Sequence, residues 1–308
     1  MDALHEPVMV AEVLRYLAPR QGVVVDCTLG PGGHAEAILD AAPAVRLVGI
    51  DRDPAALAHA RSRLARDAAR IDLVEGGFEA LEEHLAALDL DRVDAILADL
   101  GVSSLQLDRA ERGFSFRLDG PLDMRMGREG ESAADIVNRT TEGELERIFR
   151  EYGEERRARR IAREVVAARR RGAIETTTEL RDIVRRAKRS RPGQREGRVD
   201  PATRVFQALR IAVNRELAGL ERMLDQAVRL LRQDGRLVVI SYHSLEDRIV
   251  KGHLRRHSRG EVDEITGRPQ AETQILEVLT KKPARPQESE VAANPRSRSA
   301  RLRAARRL

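Results

Sequence analysis

The sequence predicts an α/β protein: a doubly wound parallel sheet interrupted by a helical insertion. Short β-branched apolar runs alternate with helix-compatible stretches through the first hundred residues, the pattern of βαβ units. The first of these runs, in "VVVDCTLGPGGHAEAIL" at 23–39, opens into a glycine-rich turn and a helix start. The fourth and fifth strand-like runs are separated by well over a hundred residues, far more than one crossover requires.

In chain order, Val23, Val24 and Val25 suit a buried parallel strand over 23–27, while Ala35, Ala37, Ile38 and Leu39 carry helical spacing. "RLVGI" (46–50), "IDLVE" (71–75) and "DAILADL" (94–100) read as the next three strands. The Gly-, Ser-, Asp- and Pro-rich "GVSSLQLDRAERGFSFRLDGPLDMRMG" then reads as a long ordered loop. From about 130 to 198 the apolar residues recur at helical intervals, with Ile136, Leu145, Ile148, Phe149, Ile161, Val165, Leu180 and Val184 among them. "SRPGQREGRVDP" (190–201) is a polar connector, and helical spacing returns from Ala202 to Leu231 before the strand "GRLVVIS" (235–241). "LEDRIVKGHLRRH" is helix-like, "TQILEVLTKKP" supplies a last strand, and the basic tail "NPRSRSARLRAARRL" is expected to be partly disordered or a solvated edge strand. This divides the chain into a discontinuous sheet domain, 1–108 and 202–308, and an inserted domain, 109–201.

Composition narrows the class. Of the 308 residues 42% are hydrophobic and 34% charged, as in a soluble globular protein. No basic-then-apolar leader opens the chain and no apolar run reaches membrane-spanning length, so a cytoplasmic location is expected. The single cysteine, Cys27, allows neither an internal disulfide nor a multi-cysteine zinc site, and reads as a small core residue. The seven histidines are read as lacking H-x-x-x-H or similar ligand spacing, so no metal is expected. The net charge of +5 is unevenly spread: residues 150–198 hold 17 Arg or Lys against 8 Asp or Glu, and 281–308 hold 9 against 2. Two basic segments on an acidic body suggest a nucleic-acid partner. Only four of the 55 basic residues are Lys, so clustering rather than arginine abundance is the signal.

Gly30, Gly32 and Ala35 satisfy G-x-G-x-x-G/A, a pattern shared by many nucleotide-type sites. Asp26, Asp51 and Asp99 end the first, second and fourth strands, at the sheet edge where such folds bind ligands. Asp51 is placed for ribose hydroxyls. A carboxylate at Asp26 would repel a pyrophosphate yet favour a ligand bearing an ammonium and a sulfonium. The alternative role for Asp26 and Asp51 is helix capping. His34 either touches the ligand or caps the helix, and Phe78 either stacks on an adenine or packs in the core.

"VDCTLGPGGHA", "GIDRDP", "DLGVSSLQLDRAERGFSFRLDGPLDMRM", "YGEERRARRIA", "ATRVFQALRIAVNREL", "GRLVVISYHSLEDRIVK" and "NPRSRSARLR" together closely resemble the RsmH (MraW) family of small-subunit ribosomal RNA cytosine-N4-methyltransferases. The resemblance runs from "HEPVMVAEVL" to the tail. It implies a class I S-adenosylmethionine-dependent methyltransferase (Rossmann-like) domain with an inserted helical domain. It also implies S-adenosylmethionine as donor and, as acceptor, a cytidine in the decoding centre of 16S rRNA within the small ribosomal subunit. Carried over by motif, cofactor contacts fall on Gly32, Gly33, His34, Asp51, Phe78, Asp99 and Gln106. Two residues depart from the pattern: Ala35 where Ser is usual, and Tyr242 where Phe is usual.

An exocyclic cytosine amine is a weak nucleophile because its lone pair is delocalised into the ring, so a group accepting hydrogen bonds from it assists transfer. Asp99 is the candidate, with Asp123, His243 and Ser244 as further residues near the base. The Pro-Pro-aromatic that often follows such an Asp is missing, so Phe114, Phe116 and Tyr242 are the candidate stacking aromatics. Arg125, with Arg109, Arg112 and Arg117, is a candidate for backbone phosphates. Ring-carbon methylation would need a cysteine nucleophile, which Cys27 is poorly placed to supply. Three other readings stay open: a methyltransferase of another target, a NAD-binding oxidoreductase, and a non-catalytic RNA-binding factor.

Overall fold

The computed structural model describes residues 7–127, 129–188, 200–260 and 273–308, so most of the expected connector at 190–201 lies outside the described residues. The chain begins with α1 (Val10–Leu17), β1 (Gln21–Asp26), α2 (Gly33–Ala41), β2 (Ala44–Asp51), α3 (Pro54–Arg63), β3 (Ile71–Glu75), α4 (Leu81–Ala86) and β4 (Val93–Asp99). Six helices follow: α5 (Ser104–Asp108), α6 (Ala133–Arg139), α7 (Glu142–Glu151), α8 (Ala158–Arg169), α9 (Thr177–Lys188) and α10 (Thr203–Asn214). The chain ends with α11 (Glu216–Leu230), β5 (Leu231–Ser241), α12 (Ser244–Arg259), β6 (Leu276–Val278), α13 (Glu288–Ala293) and β7 (Arg301–Arg307). Two compact units result, one of residues 1–101 and 217–308, the other of 102–216. The boundaries read from the sequence, 109 and 201, both fall inside the second unit.

The first unit is a seven-stranded sheet of order β3-β2-β1-β4-β5-β7-β6, the doubly wound fold the sequence predicts. Strands β1 to β5 are parallel; β7 runs antiparallel to both β5 and β6. Side chains of period two divide between two cores. Val23, Val25, Ile96, Ala98, Leu237 and Val239 face one, with Leu81 and Leu85 of α4, Leu220 and Met223 of α11, and Val250 and Leu254 of α12. Val24, Leu97, Val238 and Ile240 face the other, against Val13 and Leu17 of α1, Ile38 and Leu39 of α2, and Leu57 of α3. Because both faces are covered, these strands read as unbroken apolar runs. Cys27 is buried in the first core.

The tail corrects the sequence reading. β7 is an inner strand between β5 and β6, with Leu302, Ala304 and Ala305 buried. Arg303 is only 7% exposed, and its Nε donates to Asp247 at 2.7 Å. Its basic composition is accommodated by ion pairs, with Arg301 also on Asp247 and Arg306 on Asp234 and Glu277.

The second unit is helical, around Leu145, Phe149, Ile161, Val165, Leu180, Val184 and Leu209. The stretch before α6 is held as a defined loop. Asn214 Oδ1 accepts from Met126 N at 2.8 Å, while its Nδ2 donates to Met124 O at 2.8 Å. Leu122 N donates to Glu175 O at 2.8 Å. Gly113 turns the loop at φ +71°, where a Cβ would lie 2.2 Å from Pro121 O, so the position requires glycine. Among the described residues no helix is long and apolar enough to cross a membrane.

Candidate active site

β1, β2 and β4 are neighbours in the sheet and terminate at Asp26, Asp51 and Asp99, so three carboxyl groups share the carboxyl edge around β1. None of the three is a helix cap. The cap of α3 is Asp53, whose Oδ1 accepts from Ala55 N, and α2 begins at Gly32 without a side-chain cap.

Asp51 shapes the loop itself, its Oδ2 accepting from Gly30 N and its Oδ1 from Asp53 N, both at 2.8 Å. Burial raises its pKa, opposed by these backbone donors. Gly30 and Gly32 take φ values of +53° and +86°, and a Cβ at Gly32 would press to 3.1 Å from Leu64 Cδ1. The turn between β1 and α2 therefore carries no side chain at Gly32, leaving bare backbone at the start of α2. His34, in the first turn of α2, is 6% exposed; its Nε2 lies 2.8 Å from Val8 O and its Nδ1 3.8 Å from Asp99 Oδ2. With the carbonyl fixing the proton on Nε2 and burial lowering the pKa, the ring is neutral, with the Nδ1 lone pair toward Asp99.

Asp26 is 1% exposed. Oδ1 accepts from Thr28 N at 3.1 Å; Oδ2 is buried without a partner. Burial pushes its pKa up to about 6, partly offset by the Thr28 backbone N–H. Asp99 is tied from two sides, its backbone N–H donating to Thr28 Oγ1 at 2.6 Å and its Oδ1 accepting from Tyr242 Oη at 2.9 Å. Burial pushes this carboxyl up to about 7, against the lowering effect of the tyrosine bond. Tyr242 is raised well above the usual phenol range, so it remains a donor at neutral pH.

The tyrosine is held by the start of α12. Glu246 Oε2 accepts from Tyr242 N at 2.8 Å and His243 N at 3.2 Å, and His243 closes a reciprocal capping box through Nδ1. His243 is thus the cap of α12, and Ser244 is its first residue. Phe78, in a short turn after β3, is partly buried against the first core with the Arg52 guanidinium 5.8 Å from its ring centroid.

The second unit holds the remaining candidates, described within that unit alone. Gln106 is buried and forms a capping box with Ser103 at the start of α5. Phe114 is buried in the helical core, and Phe116 meets Phe206 edge-on with centroids 4.7 Å apart. Asp123 accepts from Arg125 N at 2.9 Å and from its Nη2 at 2.6 Å; burial of this carboxyl is outweighed by the arginine, leaving its pKa lowered.

Thr28, which bridges Asp26 to Asp99, and Glu246, which fixes Tyr242, are site residues that no spacing rule singles out. One sequence reading is incorrect. "HLRRH" at 253–257 places two histidines four residues apart, and with Asp225 they form a cluster whose ligand atoms lie within 4.8 Å of one another. A cavity of about 540 Å³ lies at the opposite sheet edge, lined by Gln21, Asp94 and Gly235, and is unconnected with this chemistry.

Residues 2–308 match the model of the MraW methylase family. The chain is 54% identical over 313 residues to Ribosomal RNA small subunit methyltransferase H of Geobacter sulfurreducens, covering 100% of both chains. It is 50% identical over 309 residues to the protein of the same name from Methylobacterium nodulans, covering 98% of this chain and 90% of the relative. A solved rRNA methylase from Streptococcus thermophilus aligns over 97% of this chain and 93% of its own, at 10% identity and a TM-score of 0.44.

Proposed function

We propose, from the premise that this chain belongs to the MraW methylase family, that it transfers a methyl group from S-adenosylmethionine to the exocyclic N4 of a cytidine in the decoding centre of 16S rRNA. The fold is that of class I S-adenosylmethionine-dependent methyltransferases, with its sheet interrupted between β4 and β5. The observation that carries the reading is end-to-end similarity to relatives named Ribosomal RNA small subunit methyltransferase H.

The residues of the sheet edge fit the donor. Asp26 Oδ2, buried and unpartnered, is an acceptor suited to an ammonium group, which would draw the carboxyl into its charged form. Asp51 has further lone pairs for ribose hydroxyls, Gly32 and Gly33 allow close backbone approach, and Phe78 offers a ring face for an adenine. Bound S-adenosylmethionine supplies a methyl group on a positively charged sulfur.

Methylation of the amine releases one proton, and Asp99 is the group proposed to accept it. A carboxyl poised near 7 is ionised in a large fraction of molecules at neutral pH yet basic enough to take a proton. Tyr242 keeps that carboxylate oriented and charged by donating to Oδ1. Neutral His34 leaves Oδ2 without a competing donor. His243 and Ser244, beside Tyr242 in the chain, are proposed to line the base site, with Tyr242 its aromatic wall.

Methylation at ring carbon C5 is the reading this site disfavours. The Cys27 thiol is 2% exposed, and burial together with Asp26 drives its pKa far upward, which removes the thiolate such chemistry uses. In the second unit, exposed Arg159, Arg160 and Arg163 recur at three- and four-residue intervals along α8. They are proposed to bind RNA phosphates, as is Arg125 in exchange for part of its pairing with Asp123. A direct test is mass mapping of 16S rRNA from cells with and without the gene. One decoding-centre cytidine should lose 14 Da (the mass of a CH₂ group) in the deletion strain and regain it on complementation; an unchanged fragment there would refute the assignment.

A further inference from the structure

A second constellation in the sheet unit stands apart from the Asp26, Asp51 and Asp99 edge. Successive turns of α12 bring His253 and His257 onto one face, where the imidazole centroids are 4.4 Å apart and the rings tilted by 50°. Asp225, on α11, faces the pair: its Oδ1 is 2.9 Å from His253 Nε2. The carboxylate side chain is 54% exposed and His253 6%, so the cluster is anchored inside the helix pair and open to solvent at the acid.

A hydrogen bond from His253 to Asp225 does not account for the whole arrangement. A second imidazole is packed beside the first, and one ligand atom from each of the three residues lies within 4.8 Å of the others. Two imidazoles and one carboxylate converging from neighbouring helices are the donor set that divalent transition metals take up. The ligand atoms lie within 4.8 Å of one another, while tetrahedral bonds of ~2.0–2.1 Å place donors ~3.3 Å apart. Small side-chain rotations close that gap.

We infer that Asp225, His253 and His257 form a binding site for a divalent transition-metal ion, zinc by preference, which clamps α12 to α11 and leaves one coordination position to water. The positive charges of Arg256 and Arg307 act on this cluster and oppose a cation, so the site is expected to be weaker than a closed four-ligand centre.

The test uses the full chain without an affinity tag, stripped by chelator and titrated with Zn²⁺ against a chromophoric chelator. One equivalent should bind with micromolar or tighter affinity. H257Q and D225N should each weaken binding by more than the roughly tenfold that loss of a ligand's outer-shell partner costs, while retaining the wild-type circular dichroism spectrum and S-adenosylmethionine affinity. Co²⁺ should give visible d–d absorption in the wild type that is absent in H257Q. His253 is buried, so its removal probes folding as much as coordination, and its two more accessible partners are the better variants. Absence of a stoichiometric site, wild-type affinity in both variants, or displacement of Zn²⁺ by equimolar Mg²⁺ would overturn the assignment.

Discussion

The acids at the strand ends of the sheet unit and those of the inserted unit are treated in opposite ways. In the sheet unit, Asp26 is buried and Asp99 largely so, both with their pKa values raised, and one oxygen of Asp26 has no partner. In the inserted unit the comparable acids are matched. Asp123 accepts a fork from Arg125, Glu155 is 4% exposed and paired with Lys188 at 2.5 Å, and Asp200 takes both Arg181 and Arg185. Buried charge left unpaired costs stability, so a fold keeps it where a ligand supplies the missing partner. The sheet unit stores that deficit at its strand ends, whereas the inserted unit settles its acids internally and leaves a row of arginines on α8 facing water.

The sharpest way to break this contrast is at Asp99. D99N keeps the shape but removes the base, and methyl transfer should fall about 10²–10⁴-fold with S-adenosylmethionine affinity changed far less. Single-turnover rates and equilibrium dialysis separate the two effects. Near-normal turnover in D99N would exclude Asp99 as the proton acceptor.

Asp26 tests the stored deficit directly. Its folded pKa, about 6, is above the unfolded value of about 3.8, so the folded state binds more protons between those values. The penalty is therefore absent below pH 4 and grows as pH rises through 6. D26N should bind S-adenosylmethionine about tenfold or more weakly. It should also raise the stability of the ligand-free protein by roughly 1–3 kcal/mol at pH 8, and by little at pH 4. Denaturant midpoints at the two pH values check this; a destabilised D26N at pH 8 contradicts it.

Tyr242 gives a smaller and more diagnostic effect. Transfer should rise with pH as Asp99 ionises near 7 and level off above it. Because the tyrosine hydroxyl favours the charged carboxylate, Y242F should move the midpoint to higher pH with the plateau rate nearly retained. A downward shift would show that the hydroxyl does not act through Asp99.

The α8 arginines of the inserted unit should act only through RNA. Replacing Arg159, Arg160 and Arg163 by Gln should lower rRNA affinity at moderate salt and flatten the log–log salt dependence by about 0.7–0.9 for each phosphate no longer neutralised. S-adenosylmethionine binding should be unchanged. An unaltered salt slope would place the RNA-binding surface elsewhere.

What the sequence reveals follows the same division. Strands buried on both faces are continuous apolar runs, while β3 is a half-buried edge strand with Asp72 inside its run. Strands β1, β2, β4 and β5 and the three terminal aspartates are therefore legible from residue type. The tail is not: alternation of Arg with Leu and Ala suggests a solvated edge, and only the distant Asp247, Asp234 and Glu277 make an inner strand of it. The same limit applies at the site. Asp26 is visible as a residue, but its orphaned oxygen depends on burial, and the bridge from Thr28 to Asp99 spans 71 positions. Phe114 and Phe116 read equally well as stacking rings or as core, and they are packed in the helical unit. The His253 and His257 pair is present in the sequence as a spacing, yet Asp225, 28 residues before His253, completes it only through helix packing.

The most direct test of Asp99 as the base in cytosine-N4 methylation is nucleoside mass spectrometry of small-subunit rRNA methylated with S-adenosylmethionine deuterated in its methyl group. The labelled methyl should appear as N4-methylcytidine at one decoding-centre position, with the label greatly diminished in D99N. Label in 5-methylcytidine, in another base, or undiminished in D99N would contradict it.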